Sequence, residues 1–529
     1  MIDLGRYVAA ACGLLATYVA YWTVSRFLTN RRHARRAQQL GCQEPWDRPY
    51  RLPLAYDLIQ EIQKAEAENV VPDYFMEMYD MVGKRATWRQ NFLGIRNIVT
   101  NDPKNIQAVL ATQFNDFAIG STRRNNFYPM FGNGVFTVDG KSWEHARGML
   151  RPQFARQQVS DLQLEEIHVT DMFKQLPAGT DGWTEFTDLV PLFFRLTLDS
   201  ATEFLFGQSV HSQNAAGKYG EKRVVEKGGL DWASFAKCFD AGTMTIAHRG
   251  RLGDLYWLHN PADFKVNSRE VHKFADYYVN LALTDPASLG GHNSELGDKE
   301  RYIFLKELVQ QTRDPLELRS QLLNILLAGR DTTAGLLGWV FYSLVRHPHV
   351  FKKLRQILLD DFGTYQNPKN LSFENLKGCT YLQHILSETL RLYPTVPINS
   401  RRAVRDTTLP RGGGPDGTAP LYIKEGQEVN YIVHIMHHRK DIWGPDADEF
   451  NPERWVGRKV GWEFLPFNGG PRICLGQQFA LTEAGYVITR MMQKFDAIET
   501  NETDPIVRHQ FSLTTSPYRL PLRLHVAKE

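Results

Sequence analysis

The sequence predicts a large, mainly α-helical domain with a small β lobe, placed behind one N-terminal transmembrane helix. Three observations support this fold class. Helical patterns of apolar residues fill most of the chain between about Pro103 and Leu392. Strand-like runs occur only near Asn97–Thr100 and after Leu392. An almost uncharged stretch, Tyr7–Val24, opens the chain and precedes a run of arginines.

The N-terminal stretch has the length of a short membrane span, about 18 residues. A cleaved signal peptide would have a shorter apolar core and small residues at its cleavage site, so an uncleaved anchor over residues 1–25 is expected. By the positive-inside rule, the basic run predicts a single-pass protein whose main domain faces the cytosol. The short span suits the thin membrane of the endoplasmic reticulum. The arginines are Arg26, Arg31, Arg32, Arg35 and Arg36.

Behind the anchor, the sequence indicates a basic hinge at residues 26–55, stiffened by its prolines. Residues 56–529 then form one domain, because the helical and strand-like parts do not separate into independent halves. The chain has 529 residues, of which 43% are hydrophobic, enough for one large core.

Composition excludes several classes of protein. Five cysteines with irregular spacing do not form the framework of a secreted disulfide protein. A net charge of +3, without a basic stripe that alternates with aromatic residues, argues against a nucleic-acid partner.

Three motifs resemble functional sites but are interpreted as structural. Gly134–Ser142 has one residue too many for a phosphate loop, so it is expected to lead into a helix. His434, His437 and His438 have no carboxylate in ligand register and are expected at the end of a strand. The glycine-rich segment 411–417 is predicted as the loop between strands 401–409 and 421–433.

A long apolar pattern, Leu316–Val345, predicts one buried helix between two prolines. Helical spacing places Ala328, Asp331, Thr332 and Gly335 on one face. A threonine in this position can bond to the carbonyl four residues earlier and widen the helix into a groove. Asp331 and Thr332 then form an acid–alcohol pair suited to proton delivery. A surface turn or a helix start is the alternative interpretation.

The segment Phe467–Gly476 has the pattern of a prepared thiolate ligand. Gly470 and Gly476 let the backbone turn closely around a flat cofactor. The helix predicted to begin near Gly476 directs its positive end towards the sulfur of Cys474, with Arg472 close by. A haem iron would accept such a thiolate. A buried thiol that only packs is the alternative.

These motifs resemble the cytochrome P-450 superfamily, and the resemblance covers nearly all of the large domain. Phe467–Gly476 is similar to its haem-binding signature, and Ala328–Thr333 to its oxygen-activating helix. The resemblance implies the P-450 fold, haem b with Cys474 as the thiolate axial ligand, and proton relay by Asp331 and Thr332.

The resemblance also implies further contacts with haem. Guanidinium groups bind carboxylates in bidentate fashion, and a buried haem without them would carry two uncompensated charges. A solvated surface role remains an alternative for each single arginine. The implied contacts are Trp143, Arg147, Arg401, Phe467, Arg472 and Gly476.

Glu388 and Arg391 lie three residues apart in the predicted helix Tyr381–Leu392. On a solvated face, such a pair would contribute only about a few tenths of a kcal/mol. In members of the superfamily, a Pro-Glu-Arg-Trp segment such as residues 452–455 supplies a second arginine, here Arg454, to a buried cluster. The resemblance therefore implies that these three residues support the haem pocket.

Electrons are expected from a separate protein, because no flavin or nicotinamide motif follows the haem region. The resemblance implies an NADPH-cytochrome P-450 reductase, with cytochrome b5 as a further candidate donor. A basic surface at Lys352, Lys353 and Arg355 is the predicted docking site.

The motifs are most similar to those of fungal alkane and fatty-acid hydroxylases, which implies terminal (ω) hydroxylation of fatty acids, n-alkanes or both. The leucines at positions 326, 327, 336 and 337 are expected to accept the alkyl chain. Ala328 stands where animal ω-hydroxylases have a glutamate that esterifies haem, so non-covalent haem is expected. The alternatives are in-chain hydroxylation or epoxidation of a lipid and, more distantly, a haem-thiolate sensor without catalysis.

Overall fold

The structure is a computed structural model, and it describes residues 4–154, 162–216, 232–285, 289 and 302–528. These ranges are mainly helical with a small β part, as the sequence predicts. The helices are α1 Leu4–Gln39, α2 Tyr56–Ala67, α3 Val71–Met81, α4 Pro103–Gln107, α5 Gly120–Phe131, α6 Gly140–Leu150, α7 Leu162–Lys174, α8 Leu189–Phe206, α9 Ser212–Ala216, α10 Trp232–Arg251, α11 Ala262–Thr284, α12 Phe304–Val309, α13 Pro315–Arg346, α14 Pro348–Phe362, α15 Phe373–Gly378, α16 Thr380–Leu392, α17 Val433–His438, α18 Lys440–Trp443 and α19 Gln477–Lys494.

The strands are short and form four small sheets in the described ranges. They are β1 Thr87–Phe92, β2 Ile95–Thr100, β3 Phe117–Ala118, β4 Thr187–Asp188, β5 Ile398–Ala403, β6 Thr407–Gly413, β7 Ala419–Ile423, β8 Glu428–Ile432, β9 Phe495–Thr500, β10 His509–Phe511, β11 Thr515–Pro517 and β12 Pro521–Val526. The main sheet has the order β1-β2-β8-β5-β3, in which β2 and β8 are parallel and the other pairs antiparallel. The other sheets are β4-β12-β9, β6-β7 and β10-β11.

The 32-residue helix α13 crosses the centre of the domain and packs against α8, α11, α16 and α19. Its bounds differ from the predicted helix by one residue at each end. Asp314 caps it by accepting a hydrogen bond from the Leu316 amide at 2.9 Å, and Pro315 occupies the first turn, where its missing N–H costs nothing. One apolar core contains the N-terminal half of this helix, and a second core contains its C-terminal half.

The strands predicted at 401–409 and 421–433 are wrong, because each is divided by a turn. The first breaks between β5 and β6, and the second between β7 and β8, where Gly426 has a φ of +78°. The start of the predicted loop, 411–413, belongs to β6. Gly412 has a φ of +111°, and a Cβ there would lie 2.6 Å from the Thr87 side chain. The glycine therefore serves a close packing contact.

The other segments interpreted as structural have clear places in the fold. Gly134–Ser142 leads into α6, as predicted, and a Cβ at Gly134 would overlap the side chain of Asn324 on α13. His434, His437 and His438 do not end a strand, since they lie on the short helix α17.

The predicted apolar stretch at Tyr7–Val24 forms part of α1, which continues through the basic residues to Gln39. The predicted boundary between anchor and hinge at residue 25 thus falls within a helix. None of the helices that the structure describes is both long enough and apolar enough to cross a membrane. Near its end, α1 contacts the β6-β7 hairpin, where His33 Nδ1 lies 3.3 Å from Asp406 Oδ2.

Four histidines meet beside α17, namely the buried His434, His437 and His509 and the half-buried His438. Burial lowers the pKa of His509 to about 3 and that of His438 to about 4. In the unfolded chain these groups take up protons below a pKa of about 6.5, whereas the folded protein does not. The unfolded state therefore binds more protons, and the histidines favour unfolding increasingly as the pH falls.

We expect His509→Phe to reduce the pH dependence of stability. Between pH about 6 and about 4, the slope of the unfolding free energy against pH should fall by up to about 1.4 kcal/mol per pH unit. Denaturant unfolding at several pH values measures this slope. His349→Phe is the control, because the exposed His349 is hydrated before and after unfolding. An unchanged slope in His509→Phe would contradict the argument.

Candidate functional site

An apolar cavity lies between α13, α6, α8, β5 and the segment that carries Cys474. It brings together all the residues that the sequence predicts as haem contacts, together with Thr332. No aspartate or glutamate lines it in the described part of the chain. The predicted contacts in its wall are Trp143, Arg147, Arg401, Phe467, Arg472, Cys474 and Gly476.

The loop around Cys474 is held by its own backbone. The Cys474 amide donates to the Phe467 carbonyl at 3.0 Å, and the Ile473 amide to the Gly470 carbonyl at 3.0 Å. Gly470 has a φ of +68°, and a Cβ there would overlap the Leu110 carbonyl, so only glycine fits. Helix α19 begins immediately after Gly476, as predicted.

The exposed surface of Cys474 faces the cavity, while protein surrounds the rest of the residue. Burial raises the pKa of its thiol, whereas the Gly476 amide and Arg147 act in the opposite direction. A bound metal ion deprotonates such a thiol outright. The chemistry of this sulfur therefore fits an iron ligand.

Four arginines lie at one end of the cavity, namely Arg123, Arg147, Arg401 and Arg472. Burial and the neighbouring arginines lower the pKa of Arg472 to about 10, although Asp139, 2.7 Å from its Nη2, opposes this shift. The Arg472 guanidinium also lies 4.5 Å from the centre of the Trp143 ring. This excess of positive charge fits the two carboxylates of a haem.

Arg123 belongs to this group but carries no sequence signal. It is one of two adjacent arginines on α5, and no motif distinguishes it from Arg124. Its Nη1 donates to Asn399 Oδ1 at 2.9 Å, whereas its buried Nε has no hydrogen-bond partner among the described residues. Burial and Arg401 lower its pKa to about 10. An anion in the cavity would satisfy both the unused donor and the charge.

On α13, the hydroxyl of Thr332 donates to the Ala328 carbonyl at 2.6 Å, as the sequence predicts. Ala328, Gly329 and Thr332 line the cavity. The predicted common face is wrong for Gly335, because a Cβ there would lie 2.5 Å from the Thr515 carbonyl, away from the cavity. The helix is packed on all sides, so spacing alone does not decide which face meets the cavity.

Asp331 lies on a second cavity beside α8, α10 and the β10-β11 hairpin. It does not share the Thr332 surface, so the predicted pair is divided between two sides of α13. Its Oδ1 lies 3.3 Å from Arg330 Nη1, and Arg330 also contacts Asp240. Burial raises the pKa of Asp331 to about 6, with Asp240 adding to the shift and Arg330 opposing it. This carboxyl can therefore exchange protons near neutral pH.

A second buried acid, Glu483 on α19, was not found from the sequence. Burial and the nearby Glu165 raise its pKa well above the usual range, while the hydroxyls of Ser200 and Thr333 oppose this shift. Thr333 also lines the main cavity. Glu483 is thus held as a neutral acid behind α13, and nothing in the sequence around it indicates its burial.

The leucines expected to accept an alkyl chain do not line the cavity. Leu326 and Leu327 belong to the core around the N-terminal half of α13, and Leu336 and Leu337 to the core around its C-terminal half. The apolar wall comes from other elements, with Ile119, Val135, Phe136, Ile325 and Val396 among its side chains.

Glu388 and Arg391 are fully buried and form the predicted ion pair, with Arg391 Nη2 2.8 Å from Glu388 Oε1. Arg454 Nε lies 3.3 Å from the same oxygen. The Asn451 amide and Trp455 Nε1 also donate to this carboxylate, each at 3.0 Å. The three predicted residues therefore form one buried cluster that joins α16 to the segment before Cys474.

The predicted docking cations are partly engaged within the protein. Lys353 Nζ lies 2.8 Å from Glu453 Oε1 and 4.3 Å from the centre of the Tyr381 ring. Arg355 Nε donates to the Phe495 carbonyl at 3.2 Å, while Lys352 is exposed. Their arrangement gives little support to a free basic surface on α14.

Comparison with known proteins agrees with this geometry. The cytochrome P450 family model matches residues 49–522. Cytochrome P450 monooxygenase g430 of Fusarium sp is 50% identical, over 97% of this chain and 89% of the relative. Cytochrome P450 52A13 of Debaryomyces hansenii is 47% identical, over 86% of this chain and 85% of the relative. The solved cytochrome P450DA haem domain shares the fold, with a TM-score of 0.72 at 19% identity, covering 92% of this chain and 98% of that chain.

We expect Glu388→Gln to destabilise the protein strongly, because it leaves the fully buried Arg391 without its charged partner, whereas Arg454 keeps its pair with Asp446. The loss should be about 3–5 kcal/mol in denaturant unfolding. The matched control is Glu270→Gln in the exposed pair Glu270–Lys273, which has the same spacing and a distance of 2.6 Å. That change should cost only about 0.2–0.5 kcal/mol. Similar losses in the two variants would refute a buried role for Glu388.

Proposed function

This chain belongs to the cytochrome P450 family, and from that premise we propose that it hydroxylates terminal carbon atoms of long-chain fatty acids, n-alkanes or both. Membership makes it a haem-thiolate monooxygenase that receives electrons from a separate reductase. We infer the substrate class from the cavity wall, which contains many apolar side chains and, among the described residues, no carboxylate. An alkyl chain loses no hydrogen bonds on entering such a site.

We assign the haem contacts from the cavity. Cys474 is the proposed axial ligand, and the arginine group, including Arg123, would hold the two propionates with Trp143. Phe467 and Gly476 would shape the loop around the ring. The bound haem supplies the activation of dioxygen. Ala328 carries no carboxylate that could esterify it, which supports non-covalent binding.

Proton delivery is proposed across α13. The Thr332 hydroxyl gives its hydrogen to Ala328 O, so its lone pairs remain available to hold a water molecule in the cavity. Asp331 would take protons from the second cavity, since its raised pKa of about 6 allows both protonation states near neutral pH.

The proposed partners follow from the family and from α1. An NADPH-cytochrome P-450 reductase is the proposed electron donor, with cytochrome b5 as a second donor. Attachment to the endoplasmic reticulum membrane, with the domain in the cytosol, is proposed because α1 exposes large apolar side chains before its basic part. These include Leu14, Leu15, Tyr18, Tyr21 and Trp22.

Product analysis tests the proposed substrate class. The chain, reconstituted with a fungal reductase and NADPH, should oxidise a mixture of long alkanes and fatty acids at the terminal methyl carbon. Mass spectrometry of the products locates the added oxygen. Oxygen at in-chain carbons, or an epoxide, would overturn terminal hydroxylation. No product despite a thiolate-type carbon monoxide spectrum would favour other substrates or the sensor.

We expect Thr332→Ala to uncouple electron use from hydroxylation, because the water held by the hydroxyl is lost. The ratio of peroxide formed to NADPH consumed should rise severalfold at unchanged haem content. Ser343→Ala is the matched control, since Ser343 makes the same type of bond on α13, to Trp339 O at 2.9 Å, away from the cavity. Full coupling in Thr332→Ala would remove the role assigned to Thr332.

A further inference from the structure

Both ring nitrogens of His437 are engaged, and the residue is completely buried. The backbone amide of Leu465 donates to His437 Nε2 at 3.0 Å, so this nitrogen must be an acceptor. His437 Nδ1 lies 3.1 Å from the Arg391 carbonyl and therefore carries the ring proton. The two contacts together require one neutral tautomer.

The surroundings of His437 favour this neutral state. Burial and the positive charges of Arg391 and His438 lower the pKa of His437 to about 3. The Arg391 guanidinium donates to the backbone carbonyl of His437 at 2.9 Å, so the same arginine is bonded to the histidine in both directions. Protonation would remove the acceptor for Leu465 and place a cation beside Arg391.

The contact with Leu465 lies at the start of the loop that carries Cys474. Two residues later, the Phe467 carbonyl accepts the hydrogen bond from the Cys474 amide. A continuous series of bonds thus leads from Glu388 through Arg391 and His437 to the backbone beside the sulfur. Further side-chain contacts of this loop involve different elements, among them those from Tyr431 to Asn468 Oδ1, from Arg147 to Ile473 O and from Arg472 to Asp139.

We infer that His437 is a positioning residue, which fixes the Cys474 loop relative to the buried Glu388–Arg391 cluster through its Nε2 bond to the Leu465 amide. The inference rests on the proposed assignment of Cys474 as the haem ligand. It gives this histidine a function beyond filling the core, since the bond holds the loop at a defined distance from α16. A ring of the same volume without nitrogen would pack as well but leave the loop free to shift.

Three substitutions separate the two bonds. His437→Gln can place an amide oxygen near the Nε2 position and keep an acceptor for Leu465. His437→Asn can keep a donor near Nδ1 for the Arg391 carbonyl but cannot reach Leu465. His437→Phe fills the space and makes neither bond. The control is His434→Phe on the same helix, where the buried ring is tilted against that of His438, with 4.2 Å between the ring centres.

Hydrogen exchange of the Leu465 amide and the carbon monoxide spectrum are measured on the haem-loaded protein. We expect exchange about tenfold faster in His437→Asn and His437→Phe, and a smaller fraction of thiolate-type spectrum. His437→Gln and His434→Phe should stay close to the parent protein in both measurements. Circular dichroism identifies variants that fail to fold, and the contrast between Asn and Gln remains decisive because both carry one amide.

Equal behaviour of His437→Asn and His437→Gln would overturn the inference, as would unchanged exchange at Leu465 in His437→Phe. A parent protein without a thiolate-type spectrum would instead refute the assignment of Cys474. In that case the exchange measurement still decides whether His437 holds the loop.

Discussion

The buried carboxylate of Glu388 is the constraint on which the rest of the site depends. A charge with no access to water must be satisfied by donors within the protein, or the chain does not fold around it. Arg391, Arg454, Asn451 and Trp455 supply these donors from two separate parts of the chain. Because they converge on one group, α16 and the segment before the cysteine loop have a single relative position. The cysteine loop is held in the same position, because Arg391 bonds to His437 and His437 accepts a hydrogen bond from the Leu465 amide of the loop.

A second constraint is that α13 presents Thr332 and Asp331 to two different cavities. One side of this helix faces the cavity with Ala328, Gly329 and Thr332, and another side meets a second cavity of mixed polar and apolar lining, which includes Asp331. A carboxylate on the cavity side would lie among apolar side chains and lose hydration. On the far side, it is paired with Arg330 and remains close to polar groups of the β10-β11 hairpin. The separation keeps the cavity side of α13 free of carboxylates among the described residues, while an acid remains one residue away from Thr332.

Much of this arrangement could be predicted from the sequence, because local patterns determine it. The prolines and apolar period of α13 and the spacing of the pair Glu388–Arg391 can be read from neighbouring residues. The role of the glycines around Cys474 can be predicted from their motif, although the distant Leu110 carbonyl is what requires glycine at position 470. Other features depend on distant partners. In the sequence nothing distinguishes Arg123 from Arg124, and only the contact with Asn399 on β5 marks Arg123 in the structure. The face of α13 on which Asp331 lies is likewise determined by the packing of α8 and α10. The divided strands of the β lobe likewise result from contacts, since Gly412 packs against Thr87 from a strand more than 300 residues earlier.

His437, His438 and Asp331 change protonation in two separate pH ranges. Burial, with Arg391 acting in the same direction, lowers the pKa of His437 and His438 to about 3 and 4, so these two histidines stay neutral at physiological pH. Burial acts in the opposite direction on an acid, and it raises the pKa of Asp331 to about 6. Burial thus keeps His437 and His438 neutral. It also allows Asp331 to exchange a proton near neutral pH. A scaffold with histidines at their ordinary pKa would lose the Leu465 acceptor in the pH range where Asp331 exchanges its proton.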